Sequence, residues 1–174
     1  MAGITNAAFR RLCREQGAGL FVSEMVTARA LIERREETFR LIKPGVGETP
    51  RSIQLYAVDP VVLGKAVDLL GSENLADHID LNFGCPVPKV TRRGGGAALP
   101  YKRKLFSAIV ESAVTAASKY GIPVTVKMRV GINSDHQTFL ESAKSAADLG
   151  VAWVALHART AAQLYEGRSD WNKI

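Results

Sequence analysis

Residues 80–99 read DLNFGCPVPKVTRRGGGAAL, and the fold turns on how they divide. From His78 to Phe83 the residues alternate in the manner of a strand, and the run breaks at Gly84, so the thiol of Cys85 falls where strand gives way to loop. Pro86 and Pro88 stiffen the exit, Lys89, Arg92 and Arg93 add cationic donors, and Gly94, Gly95 and Gly96 are expected to let backbone N–H groups approach a ligand. A lone cysteine is as a rule a small buried hydrophobe. Here it shares one short segment with an amide, three cations and a flexible turn.

The same reading extends to both sides. Toward the N-terminus, Thr5 is expected to cap a helix whose apolar face is Phe9, Leu12 and Cys13 and which stops near Gly17. Residues 19–25 (GLFVSEM) read as a buried strand, and the stretch through Ala28, Leu31, Ile32 and Phe39 as helical up to Pro44 and Gly45. Residues 52–57 form the next strand, and Asp59-Pro60 opens a helix with the stripe Leu63, Ala66, Val67 and Leu70. Toward the C-terminus, Leu105, Ile109, Ala113, Ala116 and Tyr120 line a long helix closed by Gly121, and residues 123–130 follow as a strand. Ser134 and Gln137 have capping-box spacing ahead of a helix that should carry Phe139, Leu140, Ala143 and Ala147 inward, and residues 153–158 are a last strand.

Strand and helix in strict alternation imply parallel strands with crossover helices, either an open doubly wound sheet or a closed eight-unit barrel. The polar residues decide for the barrel. Gln54, Asn82, Cys85, Lys127 and His157 all fall at or near the C-terminal ends of successive strands, which is where a barrel gathers its site, and no GxGxxG opens a helix after the first strand. Only five strand-helix units are visible, so the barrel is incomplete.

A chain of 174 residues, 47% hydrophobic, suffices for one domain with a real core. No apolar run approaches the roughly 20 residues of a membrane-crossing helix, and the N-terminus lacks the basic-then-apolar layout of a signal peptide, so a soluble, cytoplasmic protein is expected. The two cysteines, Cys13 and Cys85, have no metal-ligand spacing, which argues against a zinc site or a disulfide framework. Lysine plus arginine exceed aspartate plus glutamate by 23 to 17, a formal charge of +6 that favours a polyanionic partner without demanding one.

Asn82, Gly84, Cys85, Pro86, Lys89, Val90 and the pair Ala98-Leu99 resemble the signature of the tRNA-dihydrouridine synthases, as does the segment HARTAAQLYEG at residues 157–167. The Gly94 to Gly96 run is richer in glycine than that family's pattern. The resemblance covers essentially the whole chain and implies that residues 1–174 are a partial FMN-binding TIM-barrel catalytic domain, truncated by the first strand, the last barrel units and a C-terminal helical domain. It implies reduction of the C5–C6 bond of uridine in tRNA, with FMN as cofactor and NADPH as electron donor, by an enzyme that is monomeric at full length and needs neither a membrane nor a metal. By the same resemblance Met1 and Ala2 line the flavin, Gln54 hydrogen-bonds its ring, Lys127 meets its N1/O2 edge and His157 faces it. Hydride goes to C6 of the uracil and Cys85 protonates C5, as suits a thiol, which is a stronger acid than a hydroxyl. Asn82 orients the base, and Lys89, Arg92 and Arg93 hold flanking phosphates. Two other readings remain open at this point: an FMN barrel that reduces a free pyrimidine, and an inactive RNA-binding remnant.

Overall fold

The period-2 runs of the sequence become a six-stranded, all-parallel sheet in a computed structural model that describes residues 3–174. The elements run α1 (Ala7–Glu15), β1 (Phe21–Val22), β2 (Val26–Thr27), α2 (Ala28–Ile32), α3 (Glu36–Ile42), β3 (Arg51–Tyr56), α4 (Pro60–Ser72), β4 (His78–Phe83), α5 (Pro88–Thr91), α6 (Arg103–Ser118), β5 (Val124–Arg129), α7 (Phe139–Asp148) and β6 (Trp153–His157). The strand order is β1-β3-β4-β5-β6, with β2 also paired to β3, so each crossover helix returns the chain to the neighbouring strand. This is the winding of an incomplete (β/α)8 barrel with five strand positions.

Alternation sorts the two faces of the sheet. Ile53, Leu55, Ile79, Leu81, Phe83, Val124, Val126 and Met128 are buried in one cluster with Leu63, Val67 and Leu70 of α4 and Phe106, Ile109 and Ala113 of α6. Each fully buried Leu, Ile or Phe of this layer contributes about 2–3 kcal/mol of gross burial energy. The intervening positions, Ser52, Gln54, His78, Asp80, Asn82, Thr125, Lys127 and Arg129, share the opposite face, which in a barrel of this winding is the interior. Asp59 caps α4 by accepting from the Val61 and Val62 N–H groups at 2.9 and 3.1 Å, with Pro60 in the first turn as its sequence requires.

Several local expectations are corrected. The strand expected at 19–25 is two short pieces, because the Ser23 hydroxyl accepts the Gln54 N–H at 3.0 Å in place of a backbone carbonyl and the register slips between Val22↔Ser52 and Val26↔Leu55. The stretch after it divides into α2 and α3 at Arg34, whose φ is 53°. α1 is capped by Asn6, which accepts the Phe9 N–H at 3.0 Å, and it turns a different face inward. Phe9 and Leu12 are exposed and Cys13 is half-buried, whereas Arg10 is 3% exposed, its Nε donating to Glu48 at 2.6 Å and its Nη1 to the Thr5 carbonyl at 2.7 Å. A fully paired guanidinium tolerates burial, so the inward face of α1 is set by Glu48 and not by the apolar stripe.

In α6 the inward residues include Phe106, Val110 and Ala117, while Tyr120 lies past the helix with its hydroxyl donating to Asp68 at 3.0 Å. α7 starts only at Phe139 and buries Ser142 and Ala146, leaving Leu140 70% exposed and Ala147 exposed. Its capping box does not form, because the Gln137 amide donates to the Ser134 carbonyl at 3.0 Å instead of reaching a backbone N–H.

Candidate active site

The interior face of β3, β4 and β5 carries one continuous hydrogen-bonded chain of side chains. Asp80, buried at the centre of β4, accepts from Thr125 Oγ1 at 2.7 Å on one carboxyl oxygen and from Gln54 Nε2 at 2.7 Å on the other. Because Gln54 turns its amino group to Asp80, its carbonyl faces Asn82 Nδ2 at 2.8 Å. The Asn82 oxygen, thereby turned the other way, accepts the backbone N–H groups of Gly84 at 3.1 Å and Cys85 at 2.9 Å. Below Asp80, Thr125 has spent its single proton on the carboxylate, so it accepts from His78 Nε2 at 3.1 Å, and the bare His78 Nδ1 accepts from Ser52 Oγ at 2.7 Å. Burial pushes His78 below its usual pKa, which keeps it in this neutral tautomer, and its ring stacks on Trp153 with centroids 5.0 Å apart. Burial pushes the Asp80 carboxyl up, opposed by its hydrogen bonds from Thr125 and Gln54 and by the Lys127 charge.

The Cys85 loop leaves β4 as the sequence implies, but its glycines serve a different purpose. The Gly94 N–H donates to the Thr91 carbonyl at 2.8 Å and the Gly95 N–H to Val90 at 3.3 Å, so neither points at a ligand site. What the glycines provide is room. A Cβ on Gly96, whose φ is 55°, would fall 2.4 Å from the Cys85 carbonyl oxygen, and one on Gly95 would fall 2.4 Å from the Tyr56 ring. Lys89 on α5 and Arg92 and Arg93 just beyond it are exposed, and none of the three makes an ion pair or side-chain hydrogen bond among the described residues.

Lys127 is paired in register with Asn82, and His157 with Arg129, so the structure gathers Gln54, Asn82, Cys85, Lys127 and His157 at one end of the sheet. Met1 and Ala2 lie outside the described residues. Lys127 is half-buried and has no hydrogen-bond or ion-pair partner among the described residues; burial and Arg129 push its pKa down while Asp80 pulls it up. His157 is pushed down to about 4 by burial and by the charges of Arg129, Lys127 and Arg159, so it is neutral at pH 7 and its Nε2 accepts from Arg159 Nη1 at 3.2 Å. Lys127, Arg129 and Arg159 thus all act on His157, with Asp80 as the one buried carboxylate acting on Lys127, so this end of the sheet is net cationic and favours an anion.

Sequence reading passed over Arg129, Asp80, His78, Ser52 and Thr125. Arg129 ties the Cys85 loop to the segment after β6: its Nε donates to the Gly84 carbonyl at 3.0 Å and its Nη1 to the carbonyls of Thr160 at 2.8 Å and Leu164 at 2.7 Å, with the Tyr165 ring 5.5 Å away. The signal that could have found it was parity, since Arg129 lies two residues beyond Lys127 on the same face. Tyr56, two beyond Gln54, was missed for the same reason, and its buried hydroxyl has no hydrogen-bond partner among the described residues, a condition that costs about 1–3 kcal/mol. No group of three or more His, Cys, Asp or Glu side chains suited to a metal occurs among the described residues, and no helix among them is long and apolar enough to cross a membrane.

A family model described as dihydrouridine synthase (Dus) matches residues 1–174. The chain is 57% identical to a probable tRNA-dihydrouridine synthase of Mycobacterium tuberculosis over 181 residues, covering all of this chain and 46% of that protein. It is 51% identical to the probable tRNA-dihydrouridine synthase of Mycobacterium leprae (100% and 52% covered) and 40% identical to tRNA-dihydrouridine synthase B of Pseudomonas aeruginosa (100% and 51% covered). The chain therefore spans about half the length of the relatives it matches. With the family match running from end to end, the chain belongs to the dihydrouridine synthase family.

Proposed function

We propose that this chain is the partial barrel domain of an FMN-dependent tRNA-dihydrouridine synthase, a cytoplasmic, monomeric enzyme that reduces the C5–C6 double bond of a uridine in tRNA at the expense of NADPH. The observation that carries the reading is Lys127: a half-buried ammonium without a partner among the described residues, in register with the Asn82 that fixes the Cys85 loop. Such a cation suits a ring that becomes anionic on reduction, so the residues present fit FMN, which when bound supplies the hydride. Lys127 would hold the N1/O2 edge. Gln54, with one N–H and one lone pair uncommitted after its bonds to Asp80 and Asn82, would meet the ring, and neutral His157 would face it together with Met1 and Ala2.

Toward the substrate, the Asn82 side chain orients the base, and the Cys85 thiol delivers its proton to C5. The backbone of Cys85 is held by Asn82 and the preceding carbonyl by Arg129, which keeps the thiol in place during that transfer. Lys89, Arg92 and Arg93 hold phosphates flanking the uridine, which must be turned out of its stack to reach the site. The test is direct. tRNA from cells lacking the gene should lose dihydrouridine at one or more positions and regain it on complementation, whereas Cys85→Ala should bind FMN and accept electrons from NADPH yet pass them to tRNA at least about 100-fold more slowly. Reduction of free uracil in preference to tRNA would replace this reading with that of a free-pyrimidine reductase. A protein that cannot be loaded with FMN would leave only an RNA-binding remnant.

A further inference from the structure

Tyr56 ends β3 on the same face as Ser52 and Gln54, and its hydroxyl is both shut off from solvent and without a hydrogen-bond partner among the described residues. A buried hydroxyl that satisfies nothing among the described residues is a poor structural choice, because phenylalanine would fill the same space without the polar atom. The surrounding chain nevertheless makes way for it. A Cβ at Gly95 would lie 2.5 Å from Tyr56 Oη, and one at the adjacent Gly96 would lie 3.2 Å from Cys85 Cβ, so two consecutive glycines pack the phenol on one side and the cysteine on the other. Burial pushes the phenol up from its ordinary pKa, with Arg93 opposing and Cys85 reinforcing, so the hydroxyl keeps its proton and remains a donor.

We propose that Tyr56 is a substrate-contacting residue that donates a hydrogen bond to the C4 carbonyl oxygen of the uridine, the carbonyl attached to the carbon that Cys85 protonates. The inference rests on the dihydrouridine reading above. When hydride adds to C6, the electrons of the C5–C6 double bond pass to C5 and into the C4 carbonyl as an enolate. The proton of Cys85 Sγ then forms the new C5–H bond and leaves a thiolate, while Tyr56 gives up no proton and serves only to stabilise the negative oxygen. A donor packed beside the proton source is placed for that oxygen, because O4 and C5 are separated by a single atom of the base.

Tyr56→Phe, made in the enzyme, tests this with two readouts. Unfolding should show a midpoint equal to or above that of the wild type, since no bond among the described residues is lost, and dihydrouridine formation in tRNA should fall by about 100-fold, mainly in kcat. A substrate tRNA carrying 4-thiouridine at the target position, whose sulfur is a weak acceptor, should slow the wild type about tenfold more than it slows Tyr56→Phe, the coupling that marks a direct contact to position 4. A lowered midpoint with unchanged turnover per folded molecule would make Tyr56 a packing residue and overturn the proposal. So would equal sensitivity of the two proteins to the sulfur substitution. A wild type that forms no dihydrouridine would overturn the functional reading along with this one, whereas an active wild type matched by an equally active Tyr56→Phe would overturn this one alone.

Discussion

Replacing Arg129 with methionine should cost about 3 kcal/mol of stability, and most of the loosening should appear in two loops distant in sequence. The side chain is 3% exposed and donates to three backbone carbonyls, of Gly84, Thr160 and Leu164, at 3.0, 2.8 and 2.7 Å. Bonds from a charged donor contribute about 1.5–3 kcal/mol each, roughly 4–9 in all. Against this stands the cost of keeping a guanidinium out of water, which also holds its pKa below the usual value and amounts to several kcal/mol. The difference, about 3 kcal/mol, is what methionine forfeits, since it matches the stem but leaves all three carbonyls without a donor. Arg129→Lys should lose about 1–2 kcal/mol, because one ammonium cannot reach positions laid out for a planar fork. Urea unfolding gives the totals, and hydrogen exchange localises them, with faster exchange expected at residues 84–85 and 160–165 and little change in α4. A loss below about 1 kcal/mol in Arg129→Met, with exchange in both loops unaltered, would show that the three bonds do not hold the loops together.

Lys127→Ala should weaken retention of FMN on gel filtration, more for the reduced form than for the oxidised one; equal retention through reduction would remove Lys127 from the cofactor site. The double change Arg92→Ala and Arg93→Ala should reduce the salt slope of tRNA binding by about 2, as expected when two phosphate-binding cations are removed, and an unchanged slope would return both residues to the solvated surface. His157 takes its proton near 6.5 when unfolded and only at about 4 when folded, so the unfolded chain binds more protons between these values and stability should fall as the pH is lowered through that window. Burial of His78 acts in the same direction. His157→Gln should therefore have a shallower dependence of unfolding midpoint on pH between about 6.5 and 4, and a curve parallel to wild type would contradict the assigned shift.

What the sequence determined by itself is what covalent geometry and local spacing fix: the period-2 runs that became β3, β4, β5 and β6, the Asp59-Pro60 start of α4, and the position of Cys85 just past a strand end. Parity along a strand is a local property, so the placing of Gln54 with Ser52, of Asn82 with Asp80 and of Lys127 with Thr125 on one side of their own strands followed from it. Tertiary structure decided the partners. Ser52 meets His78 across 26 residues, Thr125 meets Asp80 across 45, and Arg129 meets Leu164 across 35, pairings that depend on strand register and loop path and leave no local periodicity to read. It also decided that α1 turns Arg10 inward in place of Phe9 and Leu12, because Glu48, 38 residues away, supplies the charge that makes burial tolerable. A sequence announces which side chains an element presents to each side. Only the folded chain determines which side is in demand, since a buried polar group is stable only where another segment brings it a partner.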